Sequence, residues 1–229
     1  MEINRSAIKQ NAKTIIGTSK PNAILVALVY TAILFILNSL SNMVSGRFEA
    51  MQYALKQISA GNLDYTPLIP KVTVPGFLLV LAITIMTIML STGFTIYCLN
   101  ICHSRPASFG NLFDGFVIVL RVLWLTILMS IFVWLWSILL IVPGIIASYR
   151  YRMALYIMLE NPEMSALECI TASKKMMLGR KAELFVLDLS FVGWALLTAI
   201  PFITIWVTPY MEITYVNYYL ALRDMPYSE

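Results

Sequence analysis

Between Lys71 and Arg105 the chain carries no Asp, Glu, Lys or Arg, and most of residues 72–104 are apolar. About 20 predominantly apolar residues suffice for a helix to cross the hydrocarbon core of a bilayer. The helices of a water-soluble domain keep a polar face, so a longer helix that is apolar all round has no place in one. The chain is therefore read as a membrane protein with this stretch as one of several spans. The composition agrees: 59% of the residues are hydrophobic and only 12% charged, against about 25% charged in soluble domains. The 229 residues hold about six spans and short connections, as a single membrane domain over 1–229 with no separate soluble part.

Residues 1–20 are polar and basic, with Arg5, Lys9, Lys13 and Lys20. Ile8, Ala12, Ile15 and Ile16 share one helical face, which predicts an amphipathic N-terminal segment lying on the membrane surface. The first span is expected over 23–40; it is longer than a signal-peptide core and is read as retained. Residues 41–71 form an extracytoplasmic loop. Within that loop Phe48, Met51, Leu55 and Ile58 recur at helical spacing and predict a helix over 47–59 resting on the membrane or the bundle, with Gly61-Asn62 ending it and Pro67 and Pro70 keeping the rest irregular. A second span runs over 75–99, a tight interfacial turn over 102–113, and a third span over 115–140. Pro143-Gly144 then reads as a hairpin turn, because an unbroken helix over 115–160 would be about 69 Å long. The fourth span is 144–160. A cytoplasmic amphipathic helix follows within 161–182, with Asn161 as its cap, Pro162 at its first position and Gly179 as its stop. Spans over 184–200 and 206–222, the latter with Pro209 in its first turn, complete an all-α, polytopic fold of about six transmembrane helices with amphipathic interfacial helices.

Lysine and arginine set the orientation. With the N-terminus inside, the inner side holds Arg5, Lys9, Lys13, Lys20, Arg105, Lys174, Lys175, Arg180, Lys181 and Arg223, and the outer side holds Arg47, Lys56 and Lys71. Both termini are then cytoplasmic.

Arg121, Arg150, Arg152, Asp188 and Glu212 fall inside these spans. Such residues cost about 2.5–3.5 kcal/mol each at a helix centre and usually pair or face a cavity. Their depths predict Arg121 beside Asp188, and Arg150 or Arg152 beside Glu212. Tyr149, Tyr215 and Tyr219 lie deep enough to need partners and are expected to bond to the buried arginines and Glu212. Three arginines against two carboxylates leave one positive charge over. The intramembrane charges serve structural pairing, a basic cavity for an anionic ligand or lipid headgroup, or a proton- or ion-coupled relay through Asp188 and Glu212. The run Lys174, Lys175, Arg180 and Lys181 faces lipid headgroups or is the ordinary positive-inside signal.

Catalytic signatures are absent: no H-E-x-x-H, no G-x-S-x-G and no phosphate-binding loop. The three cysteines are odd in number and fit no disulfide framework. Cys98 and Cys102 with a lone His103 would lack a fourth metal ligand and read as packing residues. No catalytic, cofactor or metal site is expected.

The run Ile141-Val142-Pro143-Gly144-Ile145-Ile146, then Tyr149, then Glu160-Asn161-Pro162-Glu163-Met164-Ser165-Ala166 and Ser173-Lys174-Lys175-Met176-Met177, resembles a bacterial integral-membrane family catalogued as domain of unknown function nine-seven-five. So do Phe185-Val186-Leu187-Asp188-Leu189-Ser190-Phe191-x-Gly193-Trp194, Pro209-Tyr210-Met211-Glu212-x-Thr214-Tyr215 and the opening Asn4-Arg5-Ser6. A looser similarity in layout is to Yip-type membrane domains. The resemblance implies a multi-span protein of the bacterial plasma membrane with no established activity. Arg150 and Arg152 depart from the family's pattern, so the surplus positive charge is expected to be particular to this chain. Two functions follow as expectations: a non-enzymatic envelope or interaction module, or a transporter or lipid-handling protein with a basic intramembrane cavity. The partners are membrane lipids and, for the surface helices, another membrane protein; nothing suits nucleic acid.

Overall fold

The computed structural model describes residues 3–62, 64, 66–69, 73–198 and 200–225; Pro70 and Lys71, used above, lie outside them. Every regular element among the described residues is a helix, as the sequence predicts: α1 (Arg5–Thr18), α2 (Ala23–Val44), α3 (Arg47–Ser59), α4 (Val74–Cys102), α5 (Asn111–Asp114), α6 (Val119–Leu139), α7 (Ile141–Tyr151), α8 (Ala154–Glu160), α9 (Ala166–Met176), α10 (Lys181–Leu189), α11 (Val192–Leu197) and α12 (Pro201–Arg223). The chain divides into two compact units, Met1–Leu28 with Met89–Glu229, and Val29–Ile88. Three helices, α2, α4 and α6, are long and apolar enough to cross a membrane.

The smaller unit contains α3 at the predicted bounds. Its apolar row Phe48, Met51, Leu55 and Ile58 is exposed.

In the larger unit α1 is capped by Asn4, whose side chain accepts the Ala7 N–H at 3.1 Å. The apolar face of α1 does not lie open for a membrane surface. Ile8 and Ala12 are buried, and α1 packs along α12. The reason is charge and ring chemistry: Lys9 Nζ donates to Ser190 Oγ at 2.6 Å and stands 4.4 Å from the Phe191 ring centroid, which holds the helix against protein.

The third span starts later than expected, at Val119. Asn111 closes a separate turn by accepting the Ser108 N–H at 2.7 Å and donating to Asp114 at 2.6 Å. At its far end α6 stops before Leu140, which is extended at φ −163° and ψ 148°. The hairpin bend is therefore at Leu140, and Pro143 sits in the first turn of α7, where its missing N–H has no helical partner to lose. α6 and α7 pack antiparallel: a Cβ on Gly144 would meet Ser137, and the Phe132 and Tyr151 rings lie 6.1 Å apart.

The segment expected as a fourth span is not one rod. It is α7 and α8 with a break at Arg152-Met153, where buried Ser173 replaces a missing helical bond: its hydroxyl donates to Arg150 O at 2.8 Å and accepts Met153 N–H at 3.2 Å. The following amphipathic helix begins at Ala166. Ser165, not Asn161, is its cap, with a reciprocal bond to Glu168, because the Asn161 side chain turns back to Ile157 O at 2.9 Å. Gly179 ends the segment with φ +72°, a conformation open to glycine. The segment expected as a fifth span is likewise two short helices, α10 and α11, interrupted at Ser190-Phe191.

The last helix starts at Pro201 and carries Pro209 in its interior, so Pro209 is not in its first turn. Its 23 residues extend about 34 Å, enough to cross a bilayer core, but Glu212, Asn217 and its tyrosines make it more polar than α2, α4 or α6.

Candidate functional site

Asp188 on α10 is met by hydroxyls. Tyr149 on α7 donates to Oδ2 at 2.8 Å and Tyr215 on α12 to Oδ1 at 2.7 Å. Two phenols at opposite oxygens hold the carboxylate, Arg152 interacts with it electrostatically from a distance, and no ion pair joins it to Arg121. That arginine is only the third residue of α6, at its end rather than inside it, and its Nη2 donates to Met164 O at 2.9 Å. A helix that begins four residues later than expected moves Arg121 away from Asp188. The Arg150 side chain is half-buried; its backbone carbonyl is the acceptor for Ser173.

Arg152 and Glu212 share one open cavity of about 680 Å³. Its wall comes from α4 (Thr95), one face of α6 (Thr126, Met129, Ser130, Val133, Trp134, Ser137), α7 (Ser148, Tyr151), Leu155 and Tyr156 on α8, and Glu212 on α12. The cavity-facing residues of α6 recur every three or four positions, so one stripe presents hydroxyls and apolar groups together. Arg152 sits in the break between α7 and α8. It lies among these helices, yet its side chain is accessible because it faces the opening. The guanidinium lies 4.9 Å from the Tyr215 ring centroid and makes no hydrogen bond or ion pair among the described residues. Glu212 Oε1 accepts from Thr95 at 2.8 Å and from Tyr156 at 3.3 Å, while Oε2 accepts from no described residue. Arg152 is thus beside Glu212 across a cavity, not closed on it in a salt bridge.

A second polar cluster joins three helix ends. Glu160, the last residue of α8, receives Arg223 Nη1 at 2.9 Å on Oε1 and Tyr219 OH at 2.6 Å on Oε2. His103 Nε2 lies 3.0 Å from Glu160 Oε1 and 3.2 Å from Arg223 Nη1. His103 Nδ1 is 2.9 Å from Leu99 O. A carbonyl only accepts, so Nδ1 carries a proton, while Nε2 faces both the Glu160 carboxylate and the Arg223 guanidinium. Tyr219 is therefore bound to Glu160 and stacked on Tyr156 at 5.4 Å, away from the arginines and Glu212 expected from the sequence.

The basic run also divides. Lys174 lies over the Phe132 and Tyr151 rings at 5.7 and 5.6 Å. Lys175 is exposed and Lys181 half-buried. Arg180 pairs with Glu183 at 2.9 Å. In α9 the Ser165 N–H, and after it the Ser165 hydroxyl, hold the Glu168 carboxyl below its usual range. Burial, then the positive charges of Arg5 and Lys13, lower Lys9.

Sequence reasoning missed Glu160, Thr95, Tyr156, Ser173 and the role of His103. Only the capping box at Ser165-Glu168 was readable from spacing; the others depend on helices brought together from distant parts of the chain.

Residues 138–225 match the model of a family described as "Protein of unknown function (DUF975)". The matched segment takes in the motifs between 141 and 219 that resemble that family. No curated protein and no solved structure matches the chain.

Proposed function

We propose, from the family of unknown function matched by residues 138–225, that this is a non-enzymatic multi-span protein of the bacterial plasma membrane that holds a charged amphiphile in the Arg152 cavity. The carrying observation is that the Arg152 guanidinium, which has a ring face but no hydrogen bond or ion pair among the described residues, faces about 680 Å³ of open space. An arginine among apolar helices is costly unless something satisfies it. The wall mixes apolar side chains for a chain with hydroxyls for a headgroup, as amphiphile sites do.

The six-crossing reading, with cytoplasmic termini, has support in how helix ends meet. His103 beyond α4, Glu160 ending α8 and Arg223 ending α12 form one cluster. Arg121 at the start of α6 bonds to Met164. These are the ends that the lysine–arginine bias assigns to the inner face.

A phospholipid with a photoactivatable acyl chain tests the function. Adducts are expected on Met129, Val133 and Leu155, and Arg152→Ala reduces them while leaving those on the exposed face of α4 unchanged. Adducts spread evenly and indifferent to Arg152 reject the cavity. The second reading, an interaction module, is favoured by the exposed apolar row of α3 and gains if that happens.

A further inference from the structure

We propose that the cavity recognises a zwitterion, an anionic group set against Arg152 and a primary ammonium set against Glu212; this rests on the reading of the cavity as an amphiphile site. Two charges of opposite sign line the same space, and no ion pair closes between them among the described residues. Each keeps unused capacity. The Arg152 guanidinium has a ring face at 4.9 Å and no acceptor among the described residues. Glu212 has Thr95 and Tyr156 on Oε1 and nothing on Oε2.

Charge decides the ligand class. A simple anion would gain Arg152 and be repelled by Glu212; a simple cation would meet the reverse. A dipolar headgroup gains both, and each contact removes the desolvation cost of a charge held among apolar helices.

The hydroxyls narrow the cation. Ser137 donates to Val133 O at 2.8 Å and Ser148 to Ile145 O at 2.7 Å. Their protons are committed to their own helices and their lone pairs are left to accept. With Glu212 Oε2 they offer acceptors to the same cavity, which suits an ammonium bearing N–H donors better than a quaternary ammonium without them. Phosphoethanolamine headgroups of lipids carry this chemistry, and so do soluble zwitterions with a primary amine.

The full chain is purified in a neutral detergent and titrated with phosphatidylethanolamine, phosphatidylglycerol and phosphatidylcholine of identical acyl chains, with retention read by native mass spectrometry. Phosphatidylethanolamine is expected to be retained best. One lost charge-assisted hydrogen bond is worth about tenfold in affinity, so Glu212→Gln should erase the preference over phosphatidylglycerol and Arg152→Gln should weaken all three. The unmutated protein's order of preference needs no variant to fold. Phosphatidylglycerol or phosphatidylcholine retained as well as phosphatidylethanolamine overturns the zwitterion and leaves the amphiphile reading standing. Photo-adducts spread evenly and indifferent to Arg152 remove both. Glycerophosphoethanolamine, the headgroup without chains, separates the sources: displacement of lipid supports a soluble ligand, and failure to displace supports the lipid.

Discussion

Ser173 is fully buried, and its one hydroxyl serves two backbone groups that the break between α7 and α8 leaves without helical partners, Arg150 C=O and Met153 N–H. Alanine there leaves a buried donor and acceptor unsatisfied, at a cost of about 1–3 kcal/mol. Denaturant unfolding in detergent should show that loss for Ser173→Ala; unchanged stability would mean the α7–α8 segment closes its own ladder. Glu168 gives a pH prediction at the same scale. The Ser165 N–H and hydroxyl lower its carboxyl in the folded state. Its contribution is therefore complete above the ordinary value of 4.5 and is lost as pH falls through the lowered folded value. Amide exchange at 166–169 should be flat near neutrality and accelerate only in acid, and Glu168→Gln should abolish that acid step.

At the scale of elements, the α6–α7 hairpin depends on Gly144. A methyl group there would meet the backbone and side chain of Ser137, so the helices must separate. Gly144→Ala is expected to destabilise by about 1–3 kcal/mol, the usual range for overpacking, and thermal unfolding checks it. Elements whose cause is local were legible in the sequence: α2, α4 and α6 from apolar length, α3 from its spaced row, and the stop at Gly179. Breaks with a distant cause were not. Nothing between Gly144 and Glu160 signals that a serine on α9 will enter the helix at Arg152, and nothing near Asp188 signals that two tyrosines will displace an arginine. Depth counting located the charges along the helices, but it carries no information about which faces meet. It therefore identified Arg152 and Glu212 as neighbours in level without distinguishing a closed salt bridge from a cavity. The exposed row of α3 was legible as amphipathic, whereas the similar row of α1 was misread as membrane-facing because its cover, α12, lies at the other end of the chain.

For the whole molecule the decisive question is whether the chain recrosses the membrane after α6. If only α2, α4 and α6 crossed, everything beyond Leu139 would lie outside, and Lys174, Lys175, Arg180, Lys181 and Arg223 would stand on the side that membrane proteins keep poor in such residues. Recrossing by α7 with α8, then α10 with α11, then α12 puts all five inside. It also accounts for the cluster of Glu160, Arg223 and His103, because each then marks an inner helix end. Crossing through two short helices is physically tolerable where the broken backbone is covered by protein or lines a cavity; Ser173 at the α7–α8 break does the former and the space beside Arg152 the latter. In a background without Cys98, Cys102 and Cys169, Ser59→Cys, at the end of α3, should react with a membrane-impermeant maleimide on intact cells. Lys175→Cys, exposed on α9, should react only after permeabilisation. Reaction of Lys175→Cys in intact cells would leave three spans, put the Glu160 cluster on the outer face, and remove the intramembrane setting proposed for Arg152.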